Sequence, residues 1–369
     1  MELPSYFGDF LTEIRLTQEQ KDSLKTEHKT LRKLLKEDEK LSDIYVDTFL
    51  QGSYRRGTII QPTDNNPDVD VIVVTNLDKD KCTPDDAFNK FKPFLEEHYK
   101  DKYRRQGRSI GIFLDDVDID LVVTAAPSES QKNITKQYKE ISNILSDLNI
   151  EDIENGISSK SYESLFKTSE KANNFLEKSA NSPEWKIEPL YIPDREENTW
   201  NKTHPFEQIR WTREKNDKTN KHYVNVVKAL KWWRKEKYSD YEHPKSYPFE
   251  HLIGDCCPDG INYVAEGITC SLERIAEIKN KPRLDDHGVP EHDVFSRITP
   301  EEYEEFHSQV SDAAITAREA LDSEDPNESI IKWKSLFGDK FRDPPQENEN
   351  SGYPGGRTGK SRRSRGRYG

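Results

Sequence analysis

Four aspartates on two β-branched runs, preceded by a glycine–serine turn, are the residues of this 369-residue chain whose types and spacing suit chemistry. Pro67-Asp68-Val69-Asp70 leads into Val71-Ile72-Val73-Val74. Residues two apart on a strand share a face, so Asp68 and Asp70 project together. Adjacent carboxylates at the mouth of a buried strand repel each other unless a cation holds them, and an oxygen-only ligand set points to Mg2+ or Mn2+. A second acidic run, Val117-Asp118-Ile119-Asp120-Leu121, puts Asp118 and Asp120 on one face and its aliphatic residues on the other. Either acid could supply a third ligand. Gln51-Gly52-Ser53 follows the strand-like run 44–50 and opens a short helix. Backbone N–H groups at a helix start, together with a hydroxyl, suit a phosphate.

Such residues need rigid elements behind them. Thr17 and Gln20 form a capping-box pair at the head of a helix predicted over 17–37, with Leu24, Leu31, Leu34 and Leu35 as its apolar stripe. Runs 69–75 and 117–124 read as strands, and Thr83-Pro84 opens a helix reaching about Tyr99. Residues 219–340 read as mainly helical, most clearly over 222–237. On that helix Lys221, Lys228, Lys231 and Lys235 fall within an arc of about 80°, opposite Val226, Val227, Leu230 and Trp233. The stripe suits either solvent or an anion. Residues 128–181 are polar and show no assignable pattern, and there is no internal repeat.

Composition narrows the class. Charged residues make up 34% and hydrophobic ones 32%, but 15 Phe, 16 Tyr and 6 Trp supply a sizeable core. The longest aliphatic run is 71–74, too short to span a membrane, and the first residues lack the features of a secretory signal. Four cysteines are too few for a disulfide framework. A cytoplasmic protein is expected. Of the net charge of −13, residues 351–369 contribute six basic residues and no acid. That Gly/Arg-rich stretch has too little apolar surface to fold, and Asp343-Pro344-Pro345 marks the predicted break.

A Gly-Ser turn, an Asp-x-Asp strand and a later acidic strand, in that order, resemble the DNA polymerase-β-like nucleotidyltransferases. Tyr191-Ile192-Pro193-Asp194, Leu230-Lys231-Trp232-Trp233-Arg234, Lys245-Ser246-Tyr247-Pro248 and Trp333-Lys334-Ser335-Leu336-Phe337-Gly338 narrow the resemblance to bacterial CD-NTases. These are the oligonucleotide cyclases of CBASS antiphage defence, similar to cGAS and to oligoadenylate synthetases. The resemblance implies an α/β (α+β) fold: a nucleotidyltransferase lobe with a mixed sheet and a long N-terminal brace helix, over residues 1–205. A helical C-terminal lobe over 206–342 and a disordered tail over 343–369 complete the expected division.

The implied roles follow the motif residues. Gln51, Gly52 and Ser53 grip the donor triphosphate. Asp68, Asp70 and Asp120 hold two Mg2+ ions, with Mn2+ as the alternative, and Asp118 is the rival for the third position. Lys231 reaches the β/γ-phosphates with Lys228 assisting, Ser246 contacts triphosphate, and Tyr247 stacks on the donor base. The expected substrates are ATP together with GTP or a pyrimidine NTP, joined into a cyclic di- or trinucleotide. Extension of an RNA 3′ end and a nucleotide-binding pseudoenzyme are the competing readings. His251, Cys256, Cys257 and Cys270 stand in the wrong order and at the wrong spacing for the cGAS zinc site, so buried free thiols and no zinc are expected. The resemblance also suggests that Gly369 is attached to another molecule by a ubiquitin-transfer-like ligase, against a plain electrostatic role for the basic tail.

Overall fold

The computed structural model describes residues 1–62, 66–126, 189–195, 197–237 and 242–345. The unassigned span 128–181, the tail beyond residue 345 and Gly369 lie outside the described residues.

Helix α1 (Pro4–Glu13) was not foreseen, although Pro4 at its head and Phe7, Phe10 and Leu11 at helical spacing are its signals. Helix α2 (Gln18–Glu37) starts at the expected capping box: the Gln20 N–H donates to Thr17 Oγ1 at 3.2 Å, and the Thr17 N–H donates to Gln20 Oε1 at 3.0 Å. Strand β1 (Tyr45–Gln51) runs into the five-residue α3 (Gly52–Arg56), and β2 (Asp68–Asp78) follows. Helix α4 (Pro84–His98), opened by a second capping box at Thr83 and Asp86, connects to the hairpin β3 (Tyr103–Arg105) and β4 (Ile110–Phe113), then β5 (Asp118–Ala126). The strands lie in the order β1-β2-β5-β4-β3, with β2 and β5 parallel and the other neighbours antiparallel. Strands β6 (Leu190–Asp194) and β7 (Thr199–Thr203) extend the far end of β5.

Strand alternation decides what faces what. Val69, Val71, Val73, Ile119, Leu121 and Val123 pack on the α2 and α4 side, against Leu24, Leu31, Phe88 and Phe91. The opposite side carries Ile72, Val74 and Val122 beneath Leu190, with Phe206 packed alongside. Asp68, Asp70, Asp118 and Asp120 share the parity of that second side, at the strand starts beyond its apolar cover.

The remaining helices are α5 (Pro205–Lys218), α6 (Tyr223–Lys237), α7 (Ser246–Cys256), α8 (Val264–Glu277), α9 (Pro300–Asp322) and α10 (Pro326–Phe337). Helices α6 to α10 share one core around Trp233, Phe249, Phe306, Trp333 and Phe337. Phe7 and Phe10 of α1 belong to it, with Phe10 4.6 Å from Phe337 and Phe7 5.0 Å from Trp333 between ring centroids. The expected division grouped residues 1–205 as one catalytic lobe. Helix α1 packs instead with the helical lobe, because its aromatic stripe finds its apolar partners there. No helix among the described residues is long and apolar enough to cross a membrane.

Candidate active site

The parallel pairing of β2 with β5 places Asp68 opposite Asp118 and Asp70 opposite Asp120. Antiparallel pairing of β1 sets Gln51 opposite Asp70 on the other edge. Gly52 then turns the chain with φ +74°, a conformation glycine adopts at little cost. Any Cβ at Gly52 would collide with the Asp70 carboxylate, so the turn lies directly on that acid. The structure therefore brings Gln51, Gly52, Asp68, Asp70 and Asp120 together, with Ser53 as the next residue of α3.

Electrostatics separates the acids. Burial, reinforced by the negative charges of Asp68 and Asp120, pushes the Asp70 carboxyl up to about 7, while Arg56 and Lys231 oppose the rise. Asp120 is also raised, by burial and then by Asp68, with the polar side chains of Ser109 and Gln106 offsetting part of it. Asp118 sits at the strand entrance, where the Asn66 amide donates to its Oδ1 at 3.3 Å and to the Leu114 carbonyl at 2.9 Å. A concentration of carboxylates beside two cations suits a divalent metal and an anionic ligand.

The helical lobe supplies the opposite wall. Lys231 Nζ donates to the Thr58 carbonyl at 3.0 Å, and burial lowers its pKa even though Glu250 and Asp68 pull it upward. Lys228, one turn earlier, is fully buried. Lys235 donates to the Gln61 carbonyl at 3.0 Å, and Lys221 precedes the helix at φ +68° and pairs with Asp217. The four lysines are therefore not one solvent-facing stripe: the middle two are inside the protein, Lys235 reaches across to the 58–61 segment, and only Lys221 is paired locally.

Ser246 and Tyr247 occupy the first turn of α7. The Tyr247 hydroxyl donates to Asp286 Oδ2 at 2.8 Å, and the Arg56 guanidinium carbon lies 5.2 Å from its ring centroid. Burial, then the Asp286 charge, raises the phenol's pKa, so it stays protonated and donating.

Sequence reasoning missed the link between the walls. Arg56 Nε donates to Glu250 Oε1 at 2.7 Å and Thr58 Oγ1 to Glu250 Oε2 at 2.8 Å, tying α3 to α7 below Asp70. Arg56 and Glu250 lie 194 residues apart, and no local pattern announces such a pair. Asp286 was missed for the same reason. The thiols are free, with Cys82, Cys256 and Cys257 buried and Cys270 half-buried.

Residues 1–140 match the Second Messenger Oligonucleotide or Dinucleotide Synthetase domain. A cyclic AMP-AMP-GMP synthase of Enterobacter hormaechei subsp. hoffmannii is 45% identical over 363 residues, covering 95% of each chain. A probable cyclic AMP-AMP-GMP nucleotide synthase of Salmonella paratyphi B is likewise 45% identical, over 368 residues and 95% of each chain. A cyclic AMP-AMP-AMP synthase of an Acinetobacter strain is 27% identical, over 92% of this chain and 86% of its own. Among solved structures, Vibrio cholerae DncV cyclic AMP-GMP synthase with nonhydrolyzable GTP superposes with a TM-score of 0.65 at 13% identity, over 93% of this chain and 97% of that one. E. coli CdnC with ATP gives 0.63 at 14%, over 93% and 100%.

Proposed function

Because this chain belongs to the CD-NTase family of cyclic oligonucleotide synthases, we propose that it joins ATP and GTP into a cyclic AMP-AMP-GMP-type trinucleotide for antiphage signalling. The 45% identity along 95% of two such synthases carries the choice of product. The rival expectation, extension of an RNA 3′ end, finds no support in these relatives.

In this reading Gly52 and Ser53 hold the donor triphosphate. Lys231 and Ser246 neutralise and orient its outer phosphates from the facing helices, with Lys228 reinforcing the positive field behind Lys231. Tyr247 positions the donor base, kept in place by Asp286 and Arg56. Asp68, Asp70 and Asp120 hold two Mg2+ ions; the all-oxygen donors and the raised Asp70 fit that cargo. When bound, such ions lower the pKa of an attacking ribose hydroxyl and neutralise the departing pyrophosphate. The protein's own task is placement: Arg56 and Lys231 limit the repulsion around Asp70, and the Gly52 turn sets the triphosphate against it.

Incubation with ATP and GTP, one labelled at a time, followed by phosphatase treatment and mass spectrometry, tests the proposal. A phosphatase-resistant product with two adenosines and one guanosine is expected; a product lacking guanosine, or a lengthened RNA, would overturn it. Gly52→Ala should lose more than about 10²-fold in turnover, beyond the loss of one positioned donor, because its methyl displaces Asp70. Near-normal turnover in that variant would refute the cradle.

A further inference from the structure

The distal turn of α7 carries ligating side chains that the synthase reaction does not use. His251 and Asp255 are four residues apart and share a face of the helix. His287 reaches them from the segment 285–293. His251 Nε2 lies 3.6 Å from Asp255 Oδ2, and His287 Nε2 lies 4.0 Å from Asp255 Oδ1. One donor atom from each of the three falls within 4.8 Å of the others. The Asp68, Asp70 and Asp120 trio is not among the groups of described residues that meet this distance.

Three observations make this more than a chance meeting. His287 Nε2 is buried without a hydrogen-bond partner among the described residues, on the side facing Asp255. A desolvated imidazole nitrogen left in that state is costly unless something fills its lone pair. The ring is also fixed: His287 lies between Trp211 and His251, 3.8 Å from each centroid, while those two stand 6.4 Å apart. Its segment is held as well. The Asp286 carboxylate accepts the Gly288 and Val289 N–H groups at 2.8 and 3.1 Å, and the Asp286 N–H donates to the His292 carbonyl at 2.9 Å. Gly288 abuts His204 so closely that no Cβ would fit.

We propose that His251, Asp255 and His287 bind one Zn2+ ion, with water as the fourth ligand. Two imidazoles and one carboxylate form the donor set of three-ligand zinc sites, whereas Mg2+ and Ca2+ prefer oxygen alone. Zn–N distances of about 2.0–2.1 Å set tetrahedral donors about 3.3 Å apart. The trio therefore contracts by roughly an ångström on binding, and the two stacked imidazoles splay. Asp255, with 41% of its side chain exposed, opens the site to water and to the ion. The neighbouring cysteines are not ligands: Cys257 Sγ faces the Pro258 carbonyl, and burial pushes the Cys256 thiol up to about 12.

Such an ion would tie α7, whose first turn holds Ser246 and Tyr247, to the segment whose Asp286 accepts the Tyr247 hydroxyl. That consequence rests on the proposed role of Tyr247; the zinc site does not.

The test uses the full chain without nucleotide, stripped with a chelator and titrated with Zn2+ against a chromophoric zinc chelator. One tight equivalent per chain is expected, with Co2+ giving the visible absorption of a tetrahedral ion. His287→Ala and Asp255→Asn should each lose the equivalent, and with it the zinc-dependent rise in melting temperature. Both positions are partly exposed, so two independent variants guard against misfolding. Asp68→Asn and Cys256→Ser should keep the site. No stoichiometric zinc, retention in both His287→Ala and Asp255→Asn, or loss in Cys256→Ser would overturn the proposal.

Discussion

Asp118 and Asp120 share a strand face and differ in what surrounds them. Asp118 stands at the strand entrance with the Asn66 amide on its carboxylate, whereas Asp120 pairs with Asp70 across the parallel strands. Asp120→Asn should therefore match Asp68→Asn in losing product formation by more than about 10³-fold, beyond a single electrostatic donor, while Asp118→Asn keeps most of it. Steady-state turnover of the three variants decides; an inactive Asp118→Asn beside an active Asp120→Asn reverses the assignment. Asp70 adds a pH signature. Its folded pKa, about 7, lies above the ordinary 3.8, because burial and the neighbouring acids disfavour its charge. The stability it contributes is complete below about pH 4 and is lost as the pH rises through about 7. With chelator present, the melting temperature should fall between pH 5 and pH 8, and Asp70→Asn should flatten that slope. Equal slopes in the two proteins would refute the shift. The shared face of Asp68 and Asp70 was legible from their spacing alone. The distinction between Asp118 and Asp120 was not, since Asn66 and the strand register belong to the fold.

At the scale of elements, α3 and α7 meet through Arg56 and Glu250, whose side chains are 6% and 4% exposed. Burial of the Glu250 carboxyl opposes its ionisation, but Arg56 and Lys231 outweigh it and hold its pKa low. Removing one partner strands the other charge, at a cost of about 3–5 kcal/mol. Glu250→Ala should lose that much in urea unfolding. The double variant Arg56→Met/Glu250→Leu should recover most of the stability without recovering synthesis, because the cation beside Asp70 is gone. Equal activity in the double variant and the parent would show that the pair only braces the lobes. Elements with local signals were readable: the capping boxes at Thr17 and Thr83 and the β-branched runs after Asp68 and Asp118 lie close to the observed boundaries. The lysine arc on α6 was geometrically sound but said nothing about burial. The segment 58–61 lies over that side, with the Thr58 and Gln61 carbonyls accepting Lys231 and Lys235, and tertiary cover has no 3.6-residue period.

Across the whole molecule, helix α1 is held by residues some 300 positions later. Phe7, Phe10 and Ile14 are almost fully buried among Trp333, Phe337 and Phe341, and the Met1 carbonyl accepts the Trp333 indole N–H at 3.4 Å. Phe10→Ala should cost about 3–5 kcal/mol in urea unfolding, although the residue is far from the aspartates; a cost below about 1 kcal/mol would mean that α1 is only loosely seated. The same arrangement sets a timetable for synthesis. Residues 4–13 leave the ribosome ahead of their partners by roughly 15–60 s at about 5–20 residues per second. Throughout that interval the two phenylalanines need temporary shelter, and a nascent chain already contains the aspartate-bearing strands but not the completed lobe that faces them. A chain released before α10 emerges would carry the clustered aspartates without a finished cleft, so an interrupted translation should leave fragments unable to raise a false alarm.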